Sequence, residues 1–150
     1  MVDAPNILII DARFYEDIAD ELVRGATAAL EAAGCSIGRL SVPGTFEIPA
    51  ALSLALEAAS AGLGPDYDGF VLLGCVIRGE TTHYEVVAIQ SARAVIDLSV
   101  AHGLALGNGI LTVENPDQAW IRARVTELDK GGDAARAALT MVALKRGLGL

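Results

Sequence analysis

Phe70-Val71-Leu72-Leu73-Gly74-Cys75-Val76-Ile77 runs without a charge into Arg78-Gly79-Glu80-Thr81-Thr82-His83-Tyr84-Glu85, and the junction between the two segments decides how the rest of the chain is read. The first is a short apolar run of the kind that forms a buried strand. The second holds turn residues and then Thr82 with Glu85 three positions on, the spacing of a capping box, so a helix is expected with His83 at its first position. A strand hands over to a helix here. Backbone N–H groups in the first turn and the positive end of the helix dipole make that mouth a natural place for phosphate. A neutral imidazole at His83 would be able to accept a proton there. The same residues also fit a plain, well-capped helix with an exposed histidine, and the stretch alone does not choose between the two.

Working outward, the alternation repeats. Asn6 to Ile10 is a short apolar strand, and the segment from about Glu16 to Ala33 carries Ile18, Leu22, Ala26 and Leu30 at helical spacing. Gly34 ends that helix, Cys35 to Val42 read as a second strand, and a second helix is expected from Glu47 to about Ala61 after Pro43-Gly44. Beyond the loop Gly62 to Asp68 comes the strand Gly69 to Ile77, then a third helix from Tyr84 to His102 and a fourth strand from Gly107 to Val113. Pro116-Asp117 open a helix toward Glu127, Gly131-Gly132 read as a break, and Asp133 to Lys145 as the last helix. Such alternation predicts right-handed crossovers and a four-stranded, mainly parallel sheet covered on both faces. Ligands in such folds bind beyond the carboxyl ends of the strands. Those ends are Asp11-Ala12-Arg13-Phe14, Pro43 to Glu47, Cys75 to His83 and Val113-Glu114-Asn115.

The 150 residues suffice for one domain, expected to span 1–150, and the 53% hydrophobic content against 20% charged residues suits a packed globular chain. That apolar share suggests helices partly covered by other subunits. A net charge of −8 argues against a nucleic-acid partner. A small anion is not excluded, because Arg122, Arg124 and Lys130 crowd into one segment and could form a local cationic site. The two cysteines, Cys35 and Cys75, form neither a disulfide framework nor a zinc pattern, which fits a reducing cytoplasm. Neither a signal peptide nor a membrane-spanning run is read in the sequence.

Each candidate site residue has a plainer alternative. Phe14 after the first strand reads as an aromatic platform for a planar ligand, or as a staple onto the following helix. Pro43-Gly44-Thr45-Phe46-Glu47-Ile48-Pro49 can aim backbone groups and the Glu47 carboxylate at a polar ligand edge, or simply turn a strand into a helix. Arg122, Arg124 and Lys130 suit phosphate oxygens or a solvated helix face. Cys75 with His83 has the makings of a nucleophilic pair, or Cys75 is packing. Asp11 resembles the phosphoacceptor of receiver domains, but Cys75 stands where the third strand would have to assist. No P-loop or G-x-G-x-x-G fingerprint is present.

Taken together, Arg13-Phe14, Val42 to Pro49, Gly74 to Glu85, Gly109-Ile110-Leu111-Thr112-Val113-Glu114-Asn115 and Lys130-Gly131 closely resemble the 6,7-dimethyl-8-ribityllumazine synthase family in order and spacing. The resemblance implies a flavodoxin-like three-layer α/β/α fold. It implies condensation of 5-amino-6-(D-ribitylamino)uracil with 3,4-dihydroxy-2-butanone 4-phosphate in riboflavin biosynthesis, with release of phosphate and water and with no metal and no organic cofactor. By the same resemblance Phe14 stacks on the pyrimidinedione, and Thr45, Phe46, Glu47, Cys75, Val76 and Ile77 line its polar edge and ribityl chain. Glu80 and Thr81 hold the phosphate, and His83 moves protons. Arg122 binds phosphate and Lys130 contacts substrate, both from the neighbouring subunit.

Three positions depart from the family pattern. Asn108 stands where many members place an aromatic wall of the ring pocket. The segment before Phe14 is short for a strand that joins a neighbour's sheet. Leu128-Asp129 replaces the Gly-Asn that usually precedes Lys-Gly in members forming sixty-subunit shells, which favours a homopentamer here. The expected partners are therefore small-molecule substrates, phosphate and further copies of the chain, with no nucleic acid and no membrane. The other classes considered are a flavin-binding homologue with weak or no catalysis, suggested by Asn108, and a Cys75–His83 hydrolase.

Overall fold

A computed structural model describes residues 3–150. Its elements are β1 (Asn6–Ala12), α1 (Glu16–Ala32), β2 (Ser36–Val42), a single 3-10 turn (Thr45–Glu47), α2 (Ile48–Ser60), β3 (Gly69–Ile77), α3 (His83–His102), β4 (Leu106–Val113), α4 (Pro116–Ala123) and α5 (Lys130–Gly147). The four strands form one sheet in the order β2-β1-β3-β4. Every pairing is parallel, with Ile9 opposite Arg39 and Val71, and Gly74 opposite Ile110. This is the strand order of flavodoxin-like sheets, and it leaves β2 and β4 at the edges.

The buried central strands explain why they read as continuous apolar runs. Ile7 and Ile9 of β1 and Val71 and Leu73 of β3 face a core with Ile18, Leu22, Ala26 and Leu30 of α1 and with α4 and α5. Their neighbours Leu8, Ile10, Phe70 and Leu72 point to the opposite face, against Ile48 and Leu52 of α2 and Val95 of α3. Side chains such as Ile7, Ile9, Leu22 and Leu30 are fully enclosed, each contributing about 1.5–3 kcal/mol through removal from water. Among the described residues no helix is long and apolar enough to cross a membrane.

Three expectations need correction. Gly131-Gly132 do not break the chain but lie in the first turn of α5, and the preceding helix stops at Ala123 rather than near Glu127. The glycines serve close packing instead: a Cβ on Gly131 would strike the Leu22 carbonyl of α1. Asp129 starts α5 from a left-handed conformation, φ 47°, its side chain accepting from Gly132 N at 3.2 Å. Second, the expected start of the helix at Glu47 divides into the 3-10 turn at Thr45–Glu47 followed by α2 from Ile48. Third, Thr82 is the N-cap of α3 but makes no side-chain capping bond. Glu85 pairs with Arg78 instead, so the sequence pattern of a capping box is present without its reciprocal bonds.

Candidate active site

At the carboxyl ends of β1, β2 and β3, three turns surround a cleft of about 530 Å³. The turn after β1 supplies Phe14. The turn after β2 supplies Thr45, Phe46 and Glu47. The end of β3 and the mouth of α3 supply Cys75, Val76, Ile77, Thr81 and His83. Nine of the residues expected from the sequence therefore line one wall system, and the parallel sheet is what brings these distant segments together.

Phe14 is 72% exposed, so most of its ring surface is open to a ligand. Its ring meets Tyr15 edge to face at 4.9 Å between centroids. Thr45 is buried, and its Oγ1 lacks a hydrogen-bond partner among the described residues. A buried hydroxyl without a partner is costly, so this atom is disposed to bond a polar group entering the cleft. Thr45 abuts Gly74, where a Cβ would come within 2.7 Å of the hydroxyl. Gly74 thus makes the room that this side chain occupies.

His83 occupies the first position of α3, as expected, and its backbone N–H donates to Thr81 Oγ1 at 3.3 Å. A Cβ added at neighbouring Gly79 would meet open space, so the turn before the helix is accessible to a ligand. Arg78 braces this turn through bonds to Glu85 and to Glu114, the latter at 2.8 Å at the end of β4. Glu80 lies in the same turn but does not line the cleft.

Cys75 is 8% exposed, and burial pushes its thiol up to about 12. Such a thiol is protonated at neutral pH, which speaks against a Cys75–His83 nucleophilic pair. Burial likewise raises the Tyr15 phenol, with the neighbouring Cys75 adding to the shift. Tyr15 and Val87 also line the cleft, beyond the residues expected from the sequence. Val87 was detectable in principle, because it lies four residues after His83 on the same helix face.

The remaining expected residues are elsewhere. Asn108, Arg122 and Lys130 line a second, separate cleft of about 370 Å³ between β4, α4 and α5. The Asn108 side chain turns back to accept from Ile110 N at 3.0 Å, so it presents no flat wall comparable to an aromatic ring. Arg122 donates to the Gln118 carbonyl at 3.1 Å and has no carboxylate partner among the described residues. Arg124 is occupied: it pairs with Glu127 at 3.0 Å and lies over the Trp120 ring at 5.5 Å. It also falls after the end of α4 and outside the second cleft. Lys130 sits 3.5 Å from Asp133 at the start of α5.

The family model for 6,7-dimethyl-8-ribityllumazine synthase matches residues 4–146. The chain is 62% identical over 144 residues to 6,7-dimethyl-8-ribityllumazine synthase 1 of Rhizobium meliloti, covering 96% of this chain and 94% of that one. It is 57% identical over 145 residues to the 6,7-dimethyl-8-ribityllumazine synthase of Agrobacterium fabrum, covering 97% of each. A third relative, from Afipia carboxidovorans, bears the same name and is 55% identical over 147 residues, covering 98% of this chain and 90% of its own. With the parallel sheet and the carboxyl-end cleft in place, this similarity along nearly the whole length establishes that the chain belongs to the 6,7-dimethyl-8-ribityllumazine synthase family.

Proposed function

We propose that this enzyme condenses 5-amino-6-(D-ribitylamino)uracil with 3,4-dihydroxy-2-butanone 4-phosphate in a site completed only where the first cleft of one subunit meets the second cleft of its neighbour. The enzyme is a lumazine synthase of riboflavin biosynthesis. The observation that carries the shared-site reading is the division of its candidate residues: the ring platform and His83 line one cleft, and Arg122, without a carboxylate partner among the described residues, lines another.

In this reading Phe14 stacks on the pyrimidinedione. Thr45, Phe46, Glu47, Cys75, Val76 and Ile77 contact its polar edge and ribityl chain, with the unsatisfied Thr45 hydroxyl available for one of those bonds. Lys130 reaches the ring pocket from the neighbouring subunit, with Asn108 in the same cleft in place of an aromatic wall. The Glu80-Thr81 turn at the mouth of α3 receives the phosphate, and Arg122 adds a guanidinium suited to its paired oxygens. Amine attack on the butanone carbonyl gives a carbinolamine, which loses water to form an imine. Phosphate then leaves by elimination, the resulting enol becomes a ketone, and attack of the ribitylamino nitrogen on it with loss of a second water closes the ring. His83 moves the protons of these steps. Arg122 stabilises charge on the departing group, while the oriented pair of substrates lowers the entropic part of the barrier.

The assembly is proposed as a closed ring of five copies of one domain spanning 1–150. An apolar stripe supports packing against a neighbour: Val86, Ile89, Ile96 and Val100 are all exposed along α3 at helical spacing. The preference for a ring over a larger shell rests on Leu128-Asp129. There the chain folds back on α4 through Leu128 N to the Ile121 carbonyl and Asp129 N to the Arg124 carbonyl. A cytoplasmic location accords with free thiols at Cys35 and Cys75. The catalytic part of the reading is tested by His83→Ala, assayed for lumazine absorbance and free phosphate. Turnover should fall by roughly 10²-fold or more, the scale of lost acid–base help, with the melting temperature unchanged. Wild-type turnover would refute the role of His83.

A further inference from the structure

The Asp11 carboxylate is fully buried at the end of β1, yet it is not part of the cleft. It accepts from Arg39 Nε and Nη2 at 2.9 and 3.1 Å, from the Ser41 hydroxyl at 3.1 and 3.2 Å, and from Arg13 Nη1 at 3.2 Å. Arg13 then reaches in the other direction, its Nη2 donating to Asp20 of α1 at 2.6 Å. The two carboxylates hold one guanidinium between them. Phe14 and Tyr15 lie inside the loop of chain thus closed.

The strap stands where ordinary constraints are missing. Tyr15, the N-cap of α1, makes no side-chain capping bond, so the helix entry is not fixed in the usual way. Phe14 is mostly exposed and belongs to neither hydrophobic core. Its placement therefore depends on its edge contact with Tyr15 and on the backbone of residues 12–15. That backbone is tied to β2 by Arg13 N donating to the Val42 carbonyl at 2.8 Å, three residues before the Thr45–Glu47 turn.

We propose that Arg13, clamped between Asp11 and Asp20, is a positioning residue that fixes the Phe14 ring at the separation from the Thr45–Glu47 turn which the pyrimidine substrate requires. The inference rests on the reading of Phe14 as the stacking platform. It assigns a role in substrate binding to Asp20, which lies on the outer side of α1 with its side chain 65% exposed. Charge-assisted bonds hold this geometry more firmly than neutral ones, and the buried Asp11 end makes the clamp rigid on the side toward the sheet.

Asp20→Asn releases the outer end of the clamp without disturbing a buried group, so folding is not at risk. The variant should raise KM for the pyrimidine roughly threefold to tenfold while kcat changes by less than about twofold, the pattern of lost uniform binding. KM for the butanone phosphate should stay unchanged, and Asp20→Glu should restore the wild-type value. In a Phe14→Ala background, Asp20→Asn should add nothing, because its effect passes through that ring. An unchanged pyrimidine KM in Asp20→Asn, or an effect that persists in full without the Phe14 ring, would overturn the inference even if Phe14→Ala alone weakens pyrimidine binding. A Phe14→Ala enzyme with wild-type pyrimidine KM would instead refute the stacking role, and the positioning role with it.

Discussion

The Arg78 guanidinium lies 4.2 Å from the centroid of the Tyr84 ring, across the turn that precedes α3. The same side chain bonds Glu85 on α3 and Glu114 after β4, so one residue ties the proposed phosphate turn to two elements. Cation–π contact and paired charges at this exposed position add little global stability but restrict the turn locally. Arg78→Ala should therefore raise KM for the butanone phosphate several-fold, on the order of one lost charge-assisted bond, and leave the melting temperature nearly unchanged. Steady-state kinetics with each substrate varied in turn would check this. An equal rise for both substrates would mean that Arg78 does not act through the phosphate turn.

Asp11 gives the fold a defined acid response. Burial pushes its carboxyl up, but the bonds and charge from Arg39, with further bonds from Ser41 and Arg13, outweigh that and hold it below the usual carboxylate range. Since the folded value is lowered, the stabilisation is fully present above the unfolded value of about 3.9 and is lost as pH falls through the folded one. Asp11→Asn should cost about 1–3 kcal/mol near neutral pH and flatten the loss of stability below about pH 4. Urea unfolding at stepped pH measures both. A parallel acid limb in the variant would show that Asp11 contributes nothing to it.

Arg122 and Arg124 are separated by their partners. Arg124 is committed to Glu127 and Trp120, whereas Arg122 faces the second cleft bonded to the Gln118 carbonyl and, among the described residues, to no carboxylate. Arg122→Ala should raise the requirement for the butanone phosphate at least about tenfold, the loss expected for one charged hydrogen-bond partner, and Arg124→Ala should be mild. The reverse ranking would move the phosphate site.

Cys75→Ala should keep substantial activity, because a thiol raised to about 12 supplies almost no thiolate at neutral pH. Loss of all turnover with folding and substrate binding intact would restore the nucleophile.

Much of the architecture was legible because the central strands and the α1 face obey simple periods. Ile18, Leu22, Ala26 and Leu30 point to one core as their spacing requires, and β3 begins and ends where its apolar run does. What failed were signals with two physical uses. Gly131-Gly132 has the local look of punctuation, but Gly131 lets α5 approach the Leu22 carbonyl, a tertiary demand that local sequence does not contain. Glu85 has the spacing of a capping partner but finds the stronger cation of Arg78. Within the first cleft the turns could be grouped from topology alone. The separation of Asn108, Arg122 and Lys130 into a second cleft could not, since it depends on how α4 and α5 pack beside β4.

The shared site is tested most directly by subunit exchange between two inactive proteins, His83→Ala and Arg122→Ala. In a ring whose interfaces each combine the first cleft of one copy with the second cleft of the next, random mixing of equal amounts makes about a quarter of interfaces wholly intact. Activity should return on mixing, toward about a quarter of the wild-type rate, and native mass measurement should find five subunits. No recovery despite demonstrated exchange, or a monomer with full activity, would contradict it.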